Sequence, residues 1–361
     1  MKITIVAGAR PNFMKIAPII HAIKNAQDRG EQIEYRLIHT GQHYDKKMSE
    51  DFFEQLEIPE PHANLQAAGG TQAEQTATIM VRFEKELKEF PTDLLLVVGD
   101  VTSTMACAIT AQKMGVKVAH VEAGIRSGDW SMPEEINRLV TDSITNYFYT
   151  TSEVANDNLI KSGVEKSNIF FVGNTMIDTL LKQMPKFIKP SFWDEIPLKE
   201  QGYIVMTLHR PANVDQEIKL GELIDAIVNS SNGIPLVFPV HPRTAKMLTN
   251  IGVSAPNLYL TEPMSYLEFN YLVKNAKAVI TDSGGITEET SVMGIPCMTL
   301  RDNTERPETI MLGTNELVGT DPRAIPIALQ KLFSGNWKKG GAIPLWDGKT
   351  AERIIDSLLK L

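Results

Sequence analysis

The stretch of this chain best suited to chemistry is Thr281-Asp282-Ser283-Gly284-Gly285-Ile286-Thr287-Glu288-Glu289. It follows an apolar run at 276–280 and precedes a helix-like segment. A strand that breaks at Ser-Gly-Gly and then starts a helix presents bare backbone N–H groups at the helix N-terminus. That is an anion site, suited to a pyrophosphate. Glu289, one turn into the same helix, is placed to hold the hydroxyls of a ribose. An ordinary strand–helix turn has the same spacing, so the motif gains weight only from its company.

That company lies at other strand ends. Arg10 follows the first apolar run, with Lys15 about one turn further on, and both suit phosphate neutralisation. Asp100 follows Gly99 and has two readings, a helix N-cap or a site carboxylate. Glu122 ends the next run before Ala123-Gly124, where capping explains it less well and general acid/base work explains it better. Glu134 and Glu135 follow Pro133 at the start of a helix, where they also favour the macrodipole. His209 and His241 close successive strands further on, each beside an Arg. Three carboxylates and two histidines fit acid/base chemistry on a bound anion. No Ser nucleophile elbow is present. The absence of GxGxxG after the first strand argues against a dinucleotide redox cofactor.

These residues need a frame. Short apolar runs at 3–8, 35–40, 94–99, 117–121, 147–150 and 169–172 alternate with helical patterns at 13–24, 72–87, 104–114 and 134–145. Near-continuous apolar strands indicate a parallel sheet covered on both faces, hence a doubly wound α/β domain. After the Pro- and Lys-rich stretch 184–198 the pattern restarts, with strands at 203–208, 236–240, 258–260, 278–280 and 296–300. The expected domains are 1–178 and 179–349, with a final helix in 350–361 that fits either. Ligands of such folds sit beyond the carboxyl ends of the strands, where this chain concentrates its Arg, His and acidic residues beside Gly.

Bulk properties narrow the classes. The chain has 361 residues, 43% apolar and 22% charged, which suits two globular domains. A net charge of −8 argues against non-specific nucleic-acid binding. Cys107 and Cys297 are far apart and read as buried free thiols, and no Cys/His cluster suggests a metal. The N-terminal apolar run is too short for a signal peptide, and no segment reaches the length of a membrane span. A cytoplasmic protein with reduced thiols is expected.

Taken in order, the motifs resemble the non-hydrolysing UDP-N-acetylglucosamine 2-epimerase family. They are Gly8-Ala9-Arg10-Pro11, Gly41-Gln42-His43, Gly99-Asp100, His120-Val121-Glu122-Ala123-Gly124-Ile125-Arg126, Pro133-Glu134-Glu135-Ile136-Asn137-Arg138, Val172-Gly173-Asn174, His209-Arg210, His241-Pro242-Arg243, Asp282-Ser283-Gly284-Gly285 and Thr304-Glu305-Arg306-Pro307-Glu308. The resemblance implies a GT-B architecture, two Rossmann-like domains with a UDP-sugar in the cleft, and a C-terminal helix crossing back to the first domain. It implies inversion at C2 by loss and re-addition of UDP through a glycal, with no cofactor. Asp100, Glu122 and Glu134 resemble its catalytic carboxylates, and His209 the residue beside phosphate and sugar. Arg10, Lys15, Ser283, Gly284, Gly285, Glu289 and Arg306 resemble its UDP-sugar-binding residues. Gln42, His43, Glu135 and His241 fall at a second-site or cleft position. A homodimer is also implied. The chain departs from the family at Ala9, Asn12 and Thr287, and Asp45 and Pro211-Ala212 stand where a bacterial branch binds a second substrate molecule as activator. The Gln42-His43-Tyr44-Asp45 and 132–138 tracts also occur in relatives acting on UDP-2,3-diacetamido-glucuronate. A GT-B glycosyltransferase is a further alternative.

Overall fold

The computed structural model describes residues 1–41, 53–214, 216–240 and 242–361. The chain divides into two compact units, Met1–Thr179 with Pro344–Leu361, and Leu180–Ile343.

Unit 1 is built on a seven-stranded parallel sheet: β1 (Lys2–Ala7), β2 (Glu34–His39), β3 (Ala63–Asn64), β4 (Leu94–Val98), β5 (Lys117–Val121), β6 (Tyr147–Thr150) and β7 (Ile169–Phe171). The spatial order is β3-β2-β1-β4-β5-β6-β7. Its helices are α1 (Arg10–Asp28), α2 (Gln72–Glu89), α3 (Thr102–Lys113), α4 (Pro133–Ser143) and α5 (Glu153–Lys161), with α6 (Thr175–Gln183) leaving the unit. β4, Leu-Leu-Leu-Val-Val, is buried at every position, as a strand covered on both faces must be. The small side chains of α3, among them Ala106, Cys107 and Ala111, let it pack closely beside β4 and Phe83 of α2. Thr71 and Glu74 close a reciprocal capping box at the start of α2.

Unit 2 repeats the scheme with six strands: β8 (Ile204–Thr207), β9 (Leu236–Pro239), β10 (Leu258–Thr261), β11 (Ala278–Thr281), β12 (Cys297–Thr299) and β13 (Asn315–Leu317). Their order is β10-β9-β8-β11-β12-β13. The helices are α7 (Pro211–Val214), α8 (Glu217–Ser230), α9 (Pro242–Asn250), α10 (Tyr266–Lys274), α11 (Gly284–Met293), α12 (Pro307–Met311) and α13 (Ile325–Phe333). One sheet face is covered by Leu220, Leu223, Ile224 and Ile227 of α8 with Leu329 of α13. The other carries Trp193, Tyr203, Leu272 and Val273. The last helix, α14 (Thr350–Leu358), belongs to unit 1 and packs on α1. Its first turn is capped from outside: the Asp178 carboxylate of α6 accepts the N–H groups of Thr350 (3.1 Å) and Ala351 (2.8 Å).

Sequence periodicity finds every strand of three residues or more except β13, and misses the two-residue β3. Both are short sheet edges with too few residues to show a period. Both cysteines are buried, and burial pushes the Cys297 thiol up to about 12 and Cys107 well above its ordinary value, so both are inert. Among the described residues, no helix is long and apolar enough to cross a membrane.

Candidate active site

In each sheet the strand order reverses direction once, β1/β4 in unit 1 and β8/β11 in unit 2. Ligands of doubly wound folds bind at that switch point, beyond the carboxyl ends of the strands. The register levels Val98 with Val121, so Gly99 stands beside Glu122 and Asp100 follows one residue on. It also levels Thr207 with Thr281, which brings His209 beside Ser283.

At the unit 1 switch point, Asn12 organises the first turn. Its Oδ1 accepts the N–H groups of Gly8 (3.1 Å) and Ala9 (3.0 Å), and its Nδ2 donates to the Val98 carbonyl (3.2 Å). This ties the start of α1 to the end of β4. Lys15, one turn on, forms an ion pair with Glu122. Glu122 is 7% exposed and adopts φ +75°, a left-handed conformation that costs a side-chain-bearing residue free energy. Gly99 (φ +67°) lies against this pair: a Cβ there would sit 2.9 Å from Lys15 Nζ and 3.4 Å from Glu122 Oε2.

Helix α4 supplies the rest of the unit 1 site. Arg138, 4% exposed in its side chain, donates from Nε (3.0 Å) and Nη2 (2.7 Å) to Asp100 Oδ2 and from Nη1 to Glu135 Oε2 (2.7 Å). Asn137 donates to the Asp100 carbonyl at 2.8 Å. Asp100 is therefore not the cap of α3; Val101 holds that position. Glu135 accepts the Ser127 N–H and hydroxyl and the Gly128 N–H, and so fixes the turn ahead of α4. Burial raises the Glu135 carboxyl, but these donors and Arg138 outweigh it and hold it below the usual range. Its neighbour Glu134 is half-buried, and among the described residues its carboxylate has no partner. Asp100 and Glu122 are held in place, whereas Glu134 is available.

The unit 2 switch point is organised by Asp282. Fully buried, it pairs with His209 Nδ1 (2.7 Å) and accepts the backbone N–H groups of His209 and Arg210 and the Asn213 amide. Burial pushes its carboxyl up, but bonding to His209 and then the other donors outweighs that and holds it low. An ionised Asp282 makes Nδ1 the donor and leaves His209 Nε2 as the nitrogen turned away from the pair. The His209 side chain is 61% exposed. Beside it, Ser283 stands at the N-cap of α11 without a side-chain cap. The first-turn N–H groups of α11 are thus left to an anion. A Cβ on Gly285 would meet nothing within 4 Å, while one on Gly284 would touch Glu305 at 3.0 Å.

Further along α11, Glu289 is buried and takes the Tyr266 hydroxyl at 2.7 Å. Burial, helped by Glu288, pushes its carboxyl up to about 7. Arg306 is buried in an ion pair with Glu288. Gln42, His43 and His241 lie outside the described residues, as does the side chain of Arg10; its backbone begins α1. Reasoning from the sequence gave no role to Asn12, His120, Arg138, Asp142 or Asp282. One signal was available for two of these, Arg138 and Asp142, taken together with Glu135. Glu135, Arg138 and Asp142 are spaced i, i+3, i+7, which places them on one helical face.

Two doubly wound Rossmann-like units, with carboxylates at one switch point and an uncapped helix start at the other, define a GT-B-type α/β protein. A family model described as UDP-N-acetylglucosamine 2-epimerase matches residues 25–359, and the chain belongs to that family of isomerases. A UDP-N-acetylglucosamine 2-epimerase of Methanocaldococcus jannaschii is 40% identical over 370 residues, covering 98% of both chains. The crystal structure of the M. jannaschii UDP-GlcNAc 2-epimerase in complex with UDP-GlcNAc and UDP superimposes with a TM-score of 0.87 at 38% identity over 100% of both chains. A UDP-2,3-diacetamido-2,3-dideoxy-D-glucuronate 2-epimerase of Pseudomonas aeruginosa is 37% identical over 365 residues, covering 100% of both.

Proposed function

We propose that this protein is a non-hydrolysing UDP-N-acetylglucosamine 2-epimerase that interconverts its substrate with the N-acetylmannosamine epimer. The observation that carries this reading is the set of carboxylates in unit 1: Glu122 buried on Lys15, Asp100 held by Arg138, and Glu134 unengaged. The C2 proton of the sugar is not beside a carbonyl and is not removed directly. Elimination solves the problem. A carboxylate takes the C2 proton, the C1–O bond breaks with its electron pair leaving on the UDP oxygen, and a C1=C2 glycal forms. UDP oxygen then re-forms the bond to C1 while a proton is delivered to the opposite face of C2. Asp100, Glu122 and Glu134 supply these proton transfers. The departing diphosphate is stabilised by the N-terminus of α11 at Ser283, Gly284 and Gly285, with His209 beside it. Glu289 binds the ribose. The step needs no redox cofactor. A homodimeric cytoplasmic enzyme is the form proposed.

Proton NMR of UDP-N-acetylglucosamine with the protein in deuterated buffer tests this. The expected result is a UDP-linked epimer carrying deuterium at C2, with no acceptor present and no free sugar. Free sugar, or no exchange at C2, would overturn the proposal. A second reading, epimerisation of UDP-2,3-diacetamido-glucuronate, is supported by the P. aeruginosa relative aligned over the full length of both chains. Turnover of that sugar with none of UDP-N-acetylglucosamine would select it.

A further inference from the structure

We propose that His120 and Asp142 are a positioning pair that holds both Glu122 and Asp100 in place for proton transfer. The inference rests on the acid/base reading of those two carboxylates. His120 lies on β5, two residues before Glu122, and is 1% exposed. Its Nδ1 is 2.7 Å from Asp142 Oδ1 and its Nε2 is 2.8 Å from the Gly99 carbonyl. A carboxylate and a carbonyl only accept hydrogen bonds, so the ring donates at both ends. The Gly99 carbonyl belongs to the peptide that leads into Asp100, so one end of the ring fixes the orientation of that residue.

The other end reaches α4. Asp142 Oδ1 faces His120, and its Oδ2 accepts the Gly124 N–H (3.1 Å) and Arg126 Nη1 (2.6 Å). Residues i−2 and i+2 of Glu122 are thereby anchored to one carboxylate. Glu122 itself is left-handed at φ +75°. A strained side-chain-bearing residue keeps such a conformation only where its surroundings over-determine it. The two anchors, with the Glu122 and Ala123 N–H groups on the Tyr149 carbonyl, do this. Helix α4 therefore carries Glu134, grips Asp100 through Arg138 and Asn137, and grips the Glu122 turn through Asp142. One rigid element aligns all three carboxylates, and His120–Asp142 is its contact with the sheet.

The test compares wild type with His120→Gln and Asp142→Asn. A Gln donates to only one of the two acceptors, and an Asn replaces one accepting oxygen with an NH2 donor that faces donors. The expected result is a fall in kcat of about 10–100-fold, the scale set by small misplacements of reacting groups, with KM and UDP affinity within about threefold. Hydrogen exchange at residues 99–100 and 122–124 should speed up in both variants. A variant with wild-type kcat, or one that loses UDP affinity in step with kcat, overturns the proposal. If a variant does not fold, exchange in the wild type decides: a Gly124 amide exchanging as fast as an exposed loop amide is equally fatal. Wild-type turnover is the reference arm, so an inactive wild type counts against the proposed reaction, while the exchange data still report on the pair.

Discussion

The two switch points are built from similar residues and differ in what they leave unsatisfied. In unit 1 the charged groups of the site are matched internally, Glu134 apart: Lys15 with Glu122, Arg138 with Asp100 and Glu135, Asp142 with His120 and Arg126. In unit 2, Asp282 locks the turn behind His209, but the histidine is exposed and the start of α11 has no side-chain cap. The contrast is sharpest within unit 2 itself. Ser265 closes a capping box with Glu268 at α10, whereas Ser283, the same residue type at the same helical position, caps nothing. A site that moves protons needs carboxylates fixed to fractions of an ångström. A site that binds an anion needs donors kept free for it.

The largest effects should come from the matched side. Asp100→Asn, Glu122→Gln and Glu134→Gln should each lower kcat by roughly 10²–10⁴-fold while UDP affinity by calorimetry stays near wild type. A folded variant turning over near the parent rate would show that its carboxylate is structural.

Two glycines separate the regions next. Gly99→Ala forces a left-handed alanine against Lys15 and should cost about 1–3 kcal/mol of stability as well as activity. Gly285→Ala meets no protein atom, so its melting temperature should be unchanged while UDP binding weakens about tenfold, the loss of about 1.4 kcal/mol. Equal thermal shifts in the two variants would erase the distinction.

A pH effect follows from Glu289. Its folded pKa of about 7 lies above its unfolded value, so the folded state binds the extra proton. Stability from this group therefore falls as pH rises from about 4.5 to 7 and stays low above. Glu289→Gln should be more stable than wild type at pH 8 by about 1–3 kcal/mol, with the gap closing by pH 5. Thermal melts at the two pH values measure it, and a gap independent of pH would remove the buried carboxylate as its cause. The smallest expected effect is kinetic. With Asp45 and Pro211 at the activator positions, velocity against UDP-N-acetylglucosamine should be hyperbolic; a sigmoidal curve would refute that.

How much was legible in the sequence follows the same division. The uncapped Ser283-Gly284-Gly285 start and the strand-end positions of Asp100, Glu122 and His209 are local features, and strand-end position alone locates them. The partners of those residues are not local. His120 meets Asp142 twenty-two positions away, and Asp100 meets Arg138 thirty-eight away. Only the packing of α4 against the carboxyl ends of β4 and β5 brings them together. The sequence also could not separate Glu134 from Glu135. They are adjacent and chemically alike, and a 100° turn of the helix sends one to the Ser127-Gly128 turn and leaves the other unengaged.

The capping of α14 by Asp178 has a consequence for biosynthesis. Unit 1 takes its last helix from Pro344–Leu361, after the whole of unit 2 has been made. During synthesis the α6 carboxylate therefore waits for its N–H donors through some 170 residues of intervening chain. Unit 2, contiguous in sequence, can fold as it emerges; unit 1, first to be translated, is completed only when Pro344–Leu361 has been made. A stop codon ahead of Thr350 would leave the first-made unit as the unfinished one.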